Sequence, residues 1–141
     1  MTAPQNDGGR YRQRPGRPLV LAFLDPKSST SRSQLAVLRS MATQYGPSGL
    51  TVALVDATGR AGHDDLVNLR YDWHLDVAGV LVLEPADPAA LAHSYGATAI
   101  PTTLLIAPDG HLARRWDGTV APAQDLALPL QDLTASPAAS P

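Results

Sequence analysis

Three apolar runs of strand length, at residues 18–24, 50–55 and 102–106, constrain the fold of this chain more than any other feature. A strand forms a continuous apolar run, without polar alternation, when both faces of its sheet are covered. Parallel strands flanked by helices meet that condition. The runs therefore predict a central sheet that is buried from both sides.

Helical periodicity occupies the stretches between these runs. Leu35, Leu38, Met41 and Tyr45 recur at helical spacing after four hydroxyl residues, and Gly46 ends the pattern. Further helices are predicted over residues 63–71, 89–95 and 122–133, the last interrupted or bent by a proline at position 129. A short strand at 80–83 and a hairpin with its turn at 108–110 complete the order β-α-β-α-β-α-β-β-α. This order predicts an α/β domain with parallel strands first, a C-terminal antiparallel hairpin, and helices on both faces.

The two ends of the chain differ in composition from this domain. Residues 1–17 are polar and arginine-rich, and residues 135–141 consist only of Pro, Ala and Ser. We expect a flexible N-terminal arm over 1–17, a domain over 18–134 and a disordered tail over 135–141. No apolar run follows the basic N-terminus, and no stretch approaches the ~20 apolar residues of a membrane span. A cytoplasmic location is therefore expected.

Composition excludes several function classes. The formal net charge is only −2, which gives no electrostatic argument for binding nucleic acid or a membrane surface. The chain contains no cysteine, so it has no disulfide, thiolate nucleophile, iron–sulfur ligand or cysteine zinc site. The histidines and aspartates lack metal-ligand spacing, and neither a metal nor a cofactor is expected. We expect a monomer or a weak oligomer.

Three segments, taken in order, resemble a known family. They are LVLAFLDPKSSTSRSQLAVLRSMATQY, LTVALVDATG and HSYGATAIPTTLLIAPDGHLARRWDG. Together they resemble the thioredoxin-like superfamily, and within it the TlpA/ResA-like branch that is related to the peroxiredoxins. The likeness covers residues 18–133. It implies a thioredoxin-like fold in which Pro101 is cis and the Ile100 backbone is exposed beside the turn that opens the first helix. In redox-active relatives that backbone pairs with an extended substrate peptide.

The chain departs from this family at the residues that carry its chemistry. The Cys-x-x-Cys register places Ser28 and Ser31 at the two cysteine positions, with Ser29 and Thr30 between them. An alternative register, matching a Pro-Lys-x-x-Thr stretch before a peroxidatic cysteine, places Ser33 at the reactive position. Serine forms no disulfide, and its hydroxyl needs an adjacent base to become nucleophilic. Thiol–disulfide oxidoreductase and peroxidase activities are therefore excluded in either register.

The candidate binding residues are those of the groove that the resemblance implies. They are Ser28, Ser29, Thr30, Ser31, Ile100, Pro101 and, at the end of the first strand, Asp25. The competing interpretation is that the four hydroxyl residues only cap the first helix, which explains their composition completely. Asp25 has two further interpretations, since it can pair with Lys27 or cap the turn.

Three functions remain open at this stage. The first is a non-catalytic binding or accessory module whose groove holds a protein, a peptide or a small molecule. The second is an enzyme with non-thiol chemistry on the 28–31 turn, which needs a base such as His93, the least implausible of the four histidines. The third is a structural subunit that acts through another face, for example the helix at 63–71. No catalytic residue is predicted.

Overall fold

The computed structural model describes residues 2–4, 10–12, 16–59, 62–75 and 79–139, with side chains over 16–59, 62–75 and 79–131. A strand pair precedes the domain, and the domain elements then follow in the predicted order. The strands are β1 (Thr2–Pro4), β2 (Arg10–Arg12), β3 (Leu19–Leu24), β4 (Thr51–Asp56), β5 (Val80–Leu83), β6 (Thr102–Ile106) and β7 (Leu112–Asp117). The helices are α1 (Ser29–Tyr45), α2 (His63–Asp72), α3 (Pro88–Ser94) and α4 (Ala123–Ala139).

Five of these strands form one mixed sheet in the order β5-β4-β3-β6-β7. Strand β4 runs parallel to both β3 and β5, whereas β6 runs antiparallel to both β3 and β7. The predicted α/β architecture, with parallel strands first and a C-terminal antiparallel hairpin, is therefore confirmed. Strand β3 lies at the centre of the sheet, as expected for the most continuous apolar run.

Strand β3 shows why that run is continuous, because its side chains enter two separate cores. Val20, Ala22 and Leu24 pack with residues of α1, α2 and α4. The alternate residues, including Phe23, pack on the other face with residues of α3. Residues 19–23 are fully buried. Since successive side chains of a strand point to opposite faces, burial on both faces requires an apolar residue at every position.

The end of the predicted arm packs against the domain. The Gly16 N–H donates to the Pro108 carbonyl at 3.2 Å. The side chain of Arg17 covers Gly49, where a Cβ atom would lie 2.5 Å from the guanidinium Nη1. Gly49 has a φ of 110°, a conformation that favours glycine, and a Cβ atom there would displace the Arg17 side chain.

Two elements extend into the ranges predicted to be flexible or disordered. Strands β1 and β2 pair within the range 1–17, and Thr and Tyr in these strands favour extended backbone. Helix α4 continues through Pro129 and past the predicted end at Leu133, so it includes residues 135–139. Three of those five residues are alanine, the strongest helix former. Residues 1, 5–9, 13–15 and 140–141 of the two predicted tails lie outside the described residues. No helix in the described part of the chain is long and apolar enough to cross a bilayer.

Candidate functional site

The turn between β3 and α1 is closed by its own backbone. The Ser28 N–H donates to the Asp25 carbonyl at 2.9 Å. The Lys27 N–H donates to Oδ1 of Asp25 at 3.0 Å, the pattern of an Asx turn. Asp25 is half-buried, and Pro26 provides the fixed φ that such a turn favours. The carboxylate of Asp25 therefore holds the turn that precedes the first helix.

Two of the four hydroxyl residues are used to build the start of α1. Ser28 is the N-cap, and its Oγ accepts from the Ser31 N–H at 3.4 Å. Ser31 is fully buried, and its Oγ accepts from the Asp25 N–H at 3.0 Å. Ser29 and Thr30 are exposed. The capping interpretation thus accounts for Ser28, while Ser31 ties the first turn of α1 to the end of β3.

We expect Ser28→Ala to lower the free energy of unfolding by about 1 kcal/mol, because the first turn of α1 loses its side-chain acceptor. Urea denaturation measures the loss. Ser29→Ala is the matched control, since Ser29 is exposed and in the same turn, and it should change stability by less than about 0.5 kcal/mol. Equal losses in both variants would contradict a capping role for Ser28.

Ile100 and Pro101 lead into β6. The Ile100–Pro101 peptide bond is cis. The Pro101 carbonyl accepts from the Gly118 N–H at 2.8 Å, and Pro101 is buried. Ile100 is half-buried, and its backbone N–H and carbonyl make no hydrogen bond with any described residue. Within the described part of the chain, Ile100 is therefore a half-exposed residue whose backbone donor and acceptor are unpaired.

The sheet brings this segment and the β3–α1 turn to the same end. Phe23 of β3 is paired with Thr102 of β6 in antiparallel register. Strand β3 ends within two residues of that pair and continues to Asp25. Strand β6 begins at that pair, directly after Pro101. No hydrogen bond or ion pair joins the two segments among the residues with described side chains.

Comparison with known proteins identifies the fold. No protein-family model matches the sequence, and no curated protein matches it. Solved structures do match, with low sequence identity. One is a secreted disulfide oxidoreductase of Mycobacterium tuberculosis homologous to E. coli DsbE (16% identity, 94% of this chain and 96% of that chain, TM-score 0.75). Another is a thiol-disulfide oxidoreductase of Bacteroides fragilis (15%, 94% and 96%, TM-score 0.74). A third is an exposed lipoprotein thioredoxin of Streptococcus pneumoniae (22%, 94% and 98%, TM-score 0.70).

The fold is thioredoxin-like. The predicted resemblance is confirmed at this level, and the absence of cysteine agrees with a replaced active site. Identities of this size establish the fold of the chain and leave its activity to be argued from the site.

The segment before the cis proline is held to the edge strand of this thioredoxin-like domain by Arg115. Its guanidinium donates to the carbonyls of Tyr95 and Gly96, at 3.3 and 3.1 Å. It also donates to both carboxylate oxygens of Asp117, at 2.9 and 2.7 Å. These bonds lower the pKa of Asp117 and raise that of Arg115. Sequence analysis missed Arg115. The sequence contains one signal for the pairing of Arg115 with Asp117: the two residues are two positions apart in a strand, which places both side chains on one face.

A cleft of about 440 Å³ opens on the other side of the turn, between residues 25–27 and helix α2. Of the predicted site residues, only Asp25 lines it. The other predicted residues, Ser28, Ser29, Thr30, Ser31, Ile100 and Pro101, lie outside its lining. This cleft was not predicted, because it depends on how α2 packs beside the turn.

The histidines of the thioredoxin-like domain do not serve the hydroxyl turn. Nδ1 of His63 lies 2.8 Å from Oε2 of Glu84, and His111 pairs with Asp109. His93 is exposed on α3, and neither it nor His74 bonds a hydroxyl of residues 28–31. No group of three potential metal ligands occurs among the described residues. Asp76, close to His74 in sequence, lies outside the described residues.

Proposed function

We propose that this protein is a non-catalytic binding module that holds an extended peptide segment of a partner protein along Ile100, beside the 28–31 turn. The observation that carries the proposal is that the backbone N–H and carbonyl of Ile100 have no partner among the residues that the structure describes. An extended peptide can pair with such groups as an added strand, and main-chain hydrogen bonds then supply affinity. The half-buried Ile100 side chain adds an apolar contact beside them.

The chemistry of the turn supports binding without catalysis. The chain has no thiol. The Ser28 and Ser31 hydroxyls accept hydrogen bonds from backbone N–H groups, and no histidine with a described side chain bonds either of them. A serine nucleophile needs a base within hydrogen-bond reach. The hydroxyl-based enzyme considered from sequence therefore lacks its activating group within the described residues.

The similar structures help to define what such a module retains. Two of those described above are disulfide oxidoreductases and one is a thioredoxin, and the chain shares their fold over most of its length. A fold that keeps its frame while losing its thiols supports a role in holding a partner. The partner is a protein or a peptide in this proposal. The cytoplasmic location expected from sequence remains a prediction, and one similar structure is a secreted protein.

The proposal is tested by titrating isotope-labelled protein with a pooled library of unstructured octapeptides and following backbone amide signals. We expect saturable shifts confined to residues 28–31 and 98–102. Ile100→Pro removes the N–H donor and should weaken the tightest peptide about tenfold, which corresponds to about 1.4 kcal/mol. Ile100→Val keeps the backbone donor and should change affinity less than about twofold.

Thermal melting of both variants shows whether each is folded before affinity is compared. If Ile100→Pro fails to fold, Ile100→Gly replaces it as a test of the side-chain contact. Shifts that map only to α2, or the absence of shifts with every pool, would count against the proposal.

A further inference from the structure

The cleft beside α2 has two walls of opposite character. One wall consists of the β3–α1 turn and the first turn of α1, and it carries the cations Lys27 and Arg32 together with Asp25. The other wall consists of the end of β4 and helix α2, and it carries Asp56, Asp65 and Asp72. Positive charge is therefore confined to one side of the cleft, and most of the negative charge lies on the other.

The cationic wall keeps its charges available. Nε of Arg32 donates to the Pro26 carbonyl at 3.1 Å, which fixes the guanidinium against the turn. The two Nη groups of Arg32 and the Lys27 ammonium make no hydrogen bond or ion pair with any described residue. A guanidinium with two free Nη groups suits a bidentate carboxylate.

The carboxylate wall contains both a fixed and a free group. Asp56 is only 7% exposed, and its Oδ1 accepts from the N–H and the hydroxyl of Thr58 at 3.0 and 2.6 Å. Asp72 makes no hydrogen bond or ion pair within the described part of the chain.

The floor of the cleft is apolar. Leu66, Leu69 and the half-buried Trp73 line it beneath the charged walls. A small apolar gap continues from this floor between α1, α2 and the sheet, and its lining includes Leu24, Leu35 and Leu54. Ligand sites in proteins commonly combine such an apolar floor with a few charged groups that fix orientation, in clefts of about 300–1,000 Å³.

We propose that this cleft binds a small zwitterion that carries an ammonium group, a carboxylate and an apolar side chain. The ligand carboxylate pairs with Arg32 and Lys27, and the ammonium group pairs with Asp72 and its neighbours. The apolar side chain contacts Trp73 and the leucines of the floor. This site goes beyond the proposed peptide-binding function, because it lies on the opposite side of the turn from Ile100 and needs no contact with it.

The test uses the dipeptide L-leucyl-L-leucine as the probe and the Trp116→Phe variant as the starting protein. The chain has two tryptophans, so Trp73 is then the only one and its fluorescence reports on the cleft. We expect a saturable fluorescence change with a Kd of roughly 0.1–1 mM, and amide shifts at residues 25–32 and 65–73. The N-acetylated and C-amidated dipeptides should each bind about tenfold more weakly.

Matched variants test separately the contribution of each charged wall to binding. Arg32→Gln and Asp72→Asn should each raise the Kd about tenfold, whereas Arg39→Gln, on the same helix but outside the cleft, should change it less than about twofold. Arg32→Gln should have no further effect on the C-amidated dipeptide, because the carboxylate it would bind is absent.

Three outcomes would overturn the proposal: no saturable change up to tens of millimolar, equal binding of the free and blocked dipeptides, or equal effects of Arg32→Gln and Arg39→Gln. The two titrations share the amide signals of residues 28–31, so they are separated by the others: residues 98–102 report the octapeptide at Ile100, and residues 65–73 report the dipeptide in the cleft. Failure of either test therefore leaves the other interpretable.

Discussion

Gln34→Leu is expected to lower the free energy of unfolding by about 3 kcal/mol, the largest single loss that we predict for a polar side chain of this protein. Gln34 is fully buried in α1. Its Oε1 accepts from the Ala121 N–H at 2.5 Å, and its Nε2 donates to the Ala121 carbonyl at 3.2 Å. The side chain thus satisfies both backbone groups of a residue that is 87 positions away.

The size of the effect follows from what leucine leaves behind. A buried donor or acceptor that loses its partner costs about 1–3 kcal/mol, and the Ala121 backbone would lose both partners. The greater apolarity of leucine offsets part of that cost. We expect the melting temperature to fall by about 10 °C. Calorimetry and urea denaturation measure the two quantities.

Gln44→Leu is the matched control, since Gln44 is exposed on the same helix. It should change stability by less than about 0.5 kcal/mol. A loss below about 1 kcal/mol in Gln34→Leu would show that water or a local shift replaces the two bonds. The link between α1 and the segment before α4 would then be of little energetic importance.

The sequence was sufficient for elements whose ends are set locally. Helix α1 begins after Ser28, one of the four hydroxyl residues predicted as possible caps, and ends before Gly46. Helix α3 has Asp87 as its N-cap, with Oδ1 accepting from the Ala90 N–H at 3.0 Å, and Pro88 as its first residue. Caps and prolines act within one turn of helix, so a sequence pattern contains all the information needed to place them.

The sequence was insufficient where a contact joins distant segments. Gln34 lies in an amphipathic helix, and nothing in its local pattern distinguishes a buried glutamine from an exposed one. Its partner, Ala121, contributes only a peptide group. Arg115 is a similar case, because its carbonyl partners at Tyr95 and Gly96 come from another element. Tertiary packing determines such contacts, and the hydrophobic periodicity of a sequence does not show how distant segments pack.

The candidate site also combines features that the sequence shows with features that only the structure shows. The serines at the two positions where the resemblance places cysteines are visible in sequence, because their assignment depends only on register within one turn. The cleft beside α2 depends on the distance between that turn and a helix some forty residues later, and only coordinates provide it. Asp25 belongs both to the site predicted at the turn and to the cleft, because it was predicted at the turn and also lines the cleft.

The double variant Ser28→Cys with Ser31→Cys is expected to gain thiol–disulfide activity, measured as insulin reduction, whereas the natural chain has no thiol. The start of α1 supplies the physical requirements. A thiol at a helix N-terminus has a lowered pKa, because the helix dipole and the free N–H groups stabilise its thiolate. Position 28 is half-exposed and position 31 fully buried. The first thiol is therefore open to a substrate, and the second is protected until it resolves the mixed disulfide.

The two cysteine substitutions should destabilise the protein only modestly. Loss of the Ser28 cap and of the Ser31 bond to Asp25 should lower stability by about 2 kcal/mol in the reduced form. Mass spectrometry shows whether an intramolecular disulfide forms, and alkylation at increasing pH shows whether the reactive thiol ionises below the ordinary value of about 8.5.

A second double variant, Ser40→Cys with Thr43→Cys, keeps the same spacing in the C-terminal half of α1, where both residues are exposed. The dipole there disfavours a thiolate, so this pair should reduce insulin no faster than free dithiol. If the pair at 28 and 31 is no more active than the pair at 40 and 43, the end of the sheet does not retain the geometry for thiol chemistry. If it is more active, the end of the sheet retains the geometry for thiol chemistry, and the natural chain lacks the two sulfur atoms that this chemistry needs.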